Sequence, residues 1–128
     1  MTLFIESLDL TLSNRSIVKD VTLNVEPGEV VGLLGPNGAG KTSTFNMIVG
    51  LIKPNKGNIY LDGNSIKNLS MTKRVQLGIG YLAQEPSIFR NLTVIENLEI
   101  ALSQNNLSRS LSRKKRDELI AEFNLVSF

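Results

Sequence analysis

The sequence predicts an α/β fold in which an antiparallel sheet at the N-terminus stands beside a partial parallel core. Three observations carry that reading. Leu3, Ile5, Leu8, Leu10 and Leu12 alternate, and Val21, Leu23 and Val25 alternate again after the turn-like Ser13, Asn14, Arg15, Ser16, as an antiparallel pair does. A short unbroken apolar run then enters a glycine-rich turn that opens a helical pattern. A second apolar run, Gly80, Tyr81, Leu82, Ala83, follows further on. At 128 residues, 41% hydrophobic and 20% charged, residues 1–128 suit one globular domain.

The elements follow in order. The phase of the first strand slips near Ser7, which points to a bulge in the pair. Pro27 and Gly28 break the chain, and Glu29, Val30, Val31, Gly32, Leu33 and Leu34 read as a strand buried on both faces. After Lys41, Phe45, Ile48, Val49 and Ile52 recur at helical spacing until the stretch from Pro54 to Gly57. Residues 57–63 are a strand and turn, 70–78 a short helix and 80–83 another buried strand. A helix starts at Thr93 as its cap, with Val94, Ile95, Leu98, Ala101 and Leu102 on one face. A last helix spans residues 110–124 with Leu119, Ile120 and Phe123 inward.

Composition excludes several chemistries. With no Cys and no His, there is no disulfide, no thiolate nucleophile, no imidazole acid–base catalyst and no ordinary zinc ligand set. The net charge of +2 is too small to argue for nucleic acid or an anionic membrane, so no nucleic-acid partner is expected. The opening MTLFIESLDL has no leading basic cluster and no apolar run reaches membrane-spanning length, so a cytoplasmic chain is expected.

The chemistry concentrates in GPNGAGKTS, that is Gly35, Pro36, Asn37, Gly38, Ala39, Gly40, Lys41, Thr42 and Ser43. Gly35, Gly40, Lys41 and Thr42 satisfy G-x-x-x-x-G-K-[ST], for which a chance match in such a chain has odds of about 0.4%. Glycines let successive amide N–H groups converge on an anion, Lys41 adds a point charge for the terminal phosphates, and the helix starting there aims its positive end at the same spot. The Thr42 hydroxyl is a suitable Mg²⁺ ligand. Nucleotide phosphate is the expected guest. Gln84 follows the strand ending at Ala83, at the carboxyl end where α/β sheets place ligands, although a lone loop glutamine is more often a plain polar surface residue.

GLLGPNGAGKTSTFNMIVGLIKPNKGNI followed by GIGYLAQEPSIFRNLTVIENL resembles the ATP-binding subunits of ABC transporters, over residues 3 to about 123. YLAQEPSIFRNLTV most resembles the lipopolysaccharide-export branch. The resemblance implies an incomplete ABC-type ATPase core of the P-loop NTPase class, with ATP and Mg²⁺ as cofactors. Asn37 to Ser43 would wrap the phosphates, and Thr42 and Gln84 would serve the metal, Gln84 also touching the attacking water. The loop from Pro86 to Asn91, with Phe89 and Arg90, would dock on transmembrane permease subunits, holding the protein at the inner face of the plasma membrane. A homodimer is implied for full-length members.

Two departures qualify the resemblance. Leu12 falls where the family usually carries an aromatic that stacks on adenine, while Phe4 and Tyr60 read as strand or core residues. Nothing matches the LSGGQ signature, the apolar strand ending in Asp-Glu or the switch histidine. The chain resembles roughly the first half of such a domain, so hydrolysis by it alone is not expected, and the apolar tail Leu125, Val126, Ser127, Phe128 reads as cut mid-domain.

Arg109, Arg113, Lys114, Lys115 and Arg116 form a basic cluster that Asp117, Glu118 and Glu122 partly balance, as on a solvated helix face. Other readings stay open: a branched-chain amino acid-type ABC ATPase, a non-catalytic nucleotide-binding module, and a small nucleotide kinase or GTPase. Gln84 argues mildly against the first and the GIGYLAQEPSIF segment against the last.

Overall fold

In the computed structural model, which describes residues 1–85, 87–103 and 107–125, β1 (Leu3–Leu12) and β2 (Arg15–Val25) form the hairpin that the alternation predicts. Ser13 and Asn14 take φ of 47° and 62°, the positive pair a two-residue turn needs to match strand twist. The expected bulge lies at Ser7, where φ is 46° and the register shifts between Ile5 and Leu8. That shift is why Ile5, Leu8 and Leu10 share the buried face although their spacing breaks the period of two.

β3 (Lys56–Leu61) pairs antiparallel with β1, and the short β4 (Asn64–Ser65) with β3, giving the order β2-β1-β3-β4. α1 (Lys41–Val49) lays Met47 and Ile48 against Ile5, Leu8, Leu10, Val18, Ile59, Leu61 and Ile66, and these form the core. α1 stops earlier than its apolar spacing suggests. Gly50, at φ 88°, ends it and its N–H reaches back to the Asn46 and Met47 carbonyls, so Ile52 lies beyond the helix. α2 (Met71–Gln76) starts at Ser70, whose hydroxyl accepts from the Lys73 N–H. Phe4 and Tyr60 are strand residues, as expected: they oppose each other on β1 and β3 with rings stacked 6.0 Å apart.

The two buried strands expected at residues 29–34 and 80–83 are corrected. Both segments are outside any ladder, and Val30, Leu34 and Leu82 are 97%, 94% and 95% exposed. An unbroken apolar strand is buried only where neighbours cover both its faces and edges, and among the described residues none pairs with these. The apolar pattern records a demand for partners that this sheet does not meet.

The chain divides into Met1–Tyr81 and Leu82–Phe128. In the second unit, α3 (Val94–Ser103) begins at a reciprocal cap: Thr93 Oγ1 accepts from the Glu96 N–H while the Glu96 carboxylate accepts from the Thr93 N–H at 2.7 Å. Leu102 is buried, whereas Val94 and Ile95 of the expected inward face are exposed. α4 (Arg109–Glu122) buries no residue, and Phe123, expected inward, is exposed at its end. Two helices alone give each apolar stripe one neighbour, too little to enclose it. Pro86 and residues 126–128, placed by sequence in the docking loop and the apolar tail, lie outside the described residues.

Candidate phosphate-binding loop

The glycine-rich turn delivers its residues to the start of α1. Residues 35–39 are exposed and tightened by a hydrogen bond from the Ala39 N–H to the Pro36 carbonyl, 3.2 Å. Gly40 is the N-cap, at φ 85°, and lies so close to β2 that a Cβ there would stand 2.5 Å from the Ile17 carbonyl oxygen. Only glycine meets both demands, the left-handed backbone and the contact with the sheet. α1 has no side-chain cap, and no protein acceptor meets the amides of Gly38, Gly40, Lys41, Thr42 or Ser43 among the described residues. Free N–H groups at the positive end of a helix form a receptor for an anion.

Lys41 lies across this turn. Its Nζ donates to the carbonyls of Gly35 and Pro36 at 2.5 and 2.7 Å, so the ammonium is held over the loop, and among the described residues no carboxylate pairs with it. Thr44, one turn inside α1, is buried and its hydroxyl donates to the Gly40 carbonyl at 3.0 Å, locking the loop's exit. Sequence reasoning passed over Thr44, since it stands outside the motif.

The other expected site residues are placed as follows. Thr42, in the first turn of α1, has an exposed hydroxyl beside the loop. Gln84 is exposed in a bend of the second unit. Neither group sits in a cluster of carboxylates, for no set of three or more Asp or Glu able to hold a metal occurs among the described residues. Each is an oxygen ligand of the hard type Mg²⁺ takes, and the Thr42 hydroxyl stands next to the loop that would hold phosphate. Leu12 is exposed at the end of β1, next to the hairpin turn.

A model of the ABC transporter family matches residues 18–128. The chain belongs to the ABC transporter family. It is 53% identical to the lipopolysaccharide export system ATP-binding protein LptB of Haemophilus influenzae over 121 residues, 94% of this chain and 50% of that protein. To LptB of Escherichia coli K12 it is 46% identical over 125 residues, 97% of this chain and 52% of that one. Among solved structures it is similar to the ATP-binding subunit of an ABC transporter, with TM-score 0.85 at 30% identity, covering 98% of this chain and 51% of the other. A dimeric ATP-binding cassette in a post-hydrolysis state bound to ADP and Pi gives TM-score 0.74 at 26% identity, covering 93% of this chain and 56% of the other. The chain thus spans about half the length of the curated relatives it matches.

In this ABC transporter chain the loop carrying Phe89 and Arg90 is held by a residue that sequence reasoning missed. Asn97 Oδ1 accepts from the Phe89 N–H at 2.9 Å, and its Nδ2 donates to the carbonyls of Phe89, Leu92 and Thr93. The pinned backbone leaves the Phe89 ring 58% exposed beside an exposed Ile88. An asparagine on an apolar helix stripe was the available signal.

The basic cluster resolves into a solvated face, as the sequence suggests. Arg109, Ser112, Arg113 and Arg116 line an open hollow with Glu99, but Arg116 is held there by Glu99 at 2.7 Å and by Asp117. Those two carboxylates, the Asp117 hydrogen bond foremost, raise the Arg116 pKa above its ordinary value.

Proposed function

We propose that the chain is the ATP-binding part of an ABC transporter ATPase of the lipopolysaccharide-export type, holding the phosphates of MgATP at the start of α1. The observation that carries this is the set of amides, those of Gly38, Gly40, Lys41, Thr42 and Ser43, that meet no protein acceptor among the described residues, beside the Lys41 ammonium. Gly35, Pro36, Asn37 and Ala39 form the rest of the cradle, and Thr42 and Gln84 supply oxygen to Mg²⁺. Mg²⁺ held there would neutralise phosphate charge. Gln84 orients water, while Phe89 and Arg90 dock on transmembrane permease subunits.

The branch is supported by the similarity to LptB, the ATP-binding protein of the lipopolysaccharide export system. The chain attaches at the cytoplasmic face through permease subunits, and among the described residues no helix is long and apolar enough to cross a membrane. Pairing of two ATP-binding subunits follows the dimeric cassette the chain resembles. Hydrolysis needs a positioned nucleophile and charge neutralisation beyond this loop, so the 128-residue chain binds nucleotide without turning it over.

Calorimetric titration with MgADP tests the reading. Lys41→Ala should weaken binding more than Gln84→Ala, because Lys41 meets phosphate charge directly whereas Gln84 acts through metal and water. Equal affinities for the wild type and Lys41→Ala would remove the phosphate-loop assignment. Phosphate release above the Lys41→Ala background would sink the claim that the chain alone does not hydrolyse ATP.

A further inference from the structure

Arg74 is 2% exposed, the most buried charge in the molecule, and no carboxylate pairs with it among the described residues. Its compensation is a ring of backbone carbonyls. Nη1 donates to Met47 and Ile48 at 2.8 and 2.6 Å, Nε to Leu69 at 3.1 Å and Nη2 to Lys67 at 3.0 Å. Met47 and Ile48 belong to the last turn of α1, at its negative end; the Gly50 N–H also donates to the Met47 carbonyl, and Arg74 supplies the further donors. Burial lowers the Arg74 pKa from its ordinary value, and the guanidinium remains the cation of this site.

The pocket is shaped for a guanidinium. A Cβ on Gly50 would stand 3.0 Å from Arg74 Nε and 3.2 Å from Cζ, so the glycine that ends α1 also makes room for the cation. Lys67 and Leu69 lie between β4 and α2, and the Arg74 carbonyl accepts from the Ile79 N–H at 3.1 Å. The side chain therefore joins the far end of the phosphate-loop helix to the turn before α2, while the backbone carbonyl of the same residue holds Ile79.

We propose that Arg74 is a positioning residue for nucleotide binding, clamping the C-terminal end of α1 so that the amides at its other end hold their phosphate geometry. The proposal rests on the nucleotide reading given above. A nine-residue helix is only about 13.5 Å long and moves as a rigid rod, so freedom at one end is freedom at the other. A carbonyl clamp spread over three nitrogens is a task for the planar fork of arginine, which a single ammonium cannot reproduce.

MgADP affinity is measured for the 128-residue wild type, Arg74→Lys, Arg74→Met and Lys41→Ala at a temperature where circular dichroism shows each variant folded. Amide hydrogen exchange is followed on the wild type with and without MgADP. Arg74→Met should weaken binding between about two- and thirtyfold, with partial recovery in Arg74→Lys. In the wild type MgADP should slow exchange at Leu51, Ile52 and Ile79 by more than the uniform slowing that binding gives core amides such as Ile59, whereas a purely structural arginine leaves them at that uniform level. If Arg74→Met fails to fold, Arg74→Lys and the wild-type exchange decide. Wild-type binding that Lys41→Ala abolishes but Arg74→Lys leaves intact, with exchange at Ile79 slowed no more than at Ile59, would overturn the proposal while sparing the nucleotide reading. No MgADP binding by the wild type would overturn both.

Discussion

At the scale of single residues, the phosphate loop combines one backbone demand with one charge. Gly40 admits the close contact with Ile17, and Lys41 holds its ammonium over carbonyls it can exchange for phosphate oxygens. The base has no such provision at Leu12, an exposed aliphatic side chain at the strand end, while Tyr60 is engaged with Phe4 across the sheet. Offset stacking on an aromatic ring contributes about 0.5–1.5 kcal/mol beyond area burial. Its loss leaves ATP and GTP separated by no more than about tenfold in affinity. Competition between the two nucleotides measures this directly, and a hundredfold preference for ATP would mean that another ring supplies the stack. Leu12→Tyr should widen the ratio in favour of ATP.

At the scale of elements, the cap at the start of α3 is sensitive to acid. The Thr93 backbone N–H, and then its hydroxyl, donate to the Glu96 carboxylate and hold its pKa below the ordinary glutamate value. A depressed folded pKa means stability that is present above the unfolded value and lost as pH falls through the folded one. The first turn of α3, and the Asn97 bonds that pin Phe89 one residue further on, should therefore loosen below the normal glutamate range. Amide exchange at Glu96 and Asn97 measured against pH checks it, and an unchanged profile in Glu96→Gln would refute it. Thr93 was legible as the cap from its residue type and place before the apolar face, whereas its partner Glu96 was not read, and the hairpin was legible because alternation and the Ser13-Asn14 turn agree. The phosphate loop was legible for the same reason, a local motif that needs no distant partner. What escaped depends on long-range contacts: Arg74 satisfies carbonyls 26 and 27 residues away, and the exposure of residues 30–34 depends on which strands lie alongside them.

At the scale of the whole molecule, the chain presents apolar backbone that its own sheet does not cover. Val30 and Leu34 stand almost fully exposed on a segment outside any ladder, and Leu82 does so in the second unit, although each lies in a run whose composition is that of an interior strand. The chain spans about half the length of its curated relatives, and such a segment with free edges offers N–H and C=O groups to any strand that reaches it. Burying a valine or leucine side chain stabilises by about 1.5–3 kcal/mol, so two or three such residues give a strong drive toward self-association. The isolated chain should therefore bind a hydrophobic dye and sediment as a concentration-dependent mixture. Val30→Lys places a charge on the free segment, and because the Val30 side chain touches almost nothing it should reduce both signals while leaving MgADP affinity within about twofold of wild type. Sedimentation velocity at several concentrations, with dye fluorescence in the same buffer, decides the matter. A wild type that stays monomeric and dark would show that residues 30–34 are covered in solution, and a loss of MgADP binding in Val30→Lys would show that the segment supports the loop rather than an edge.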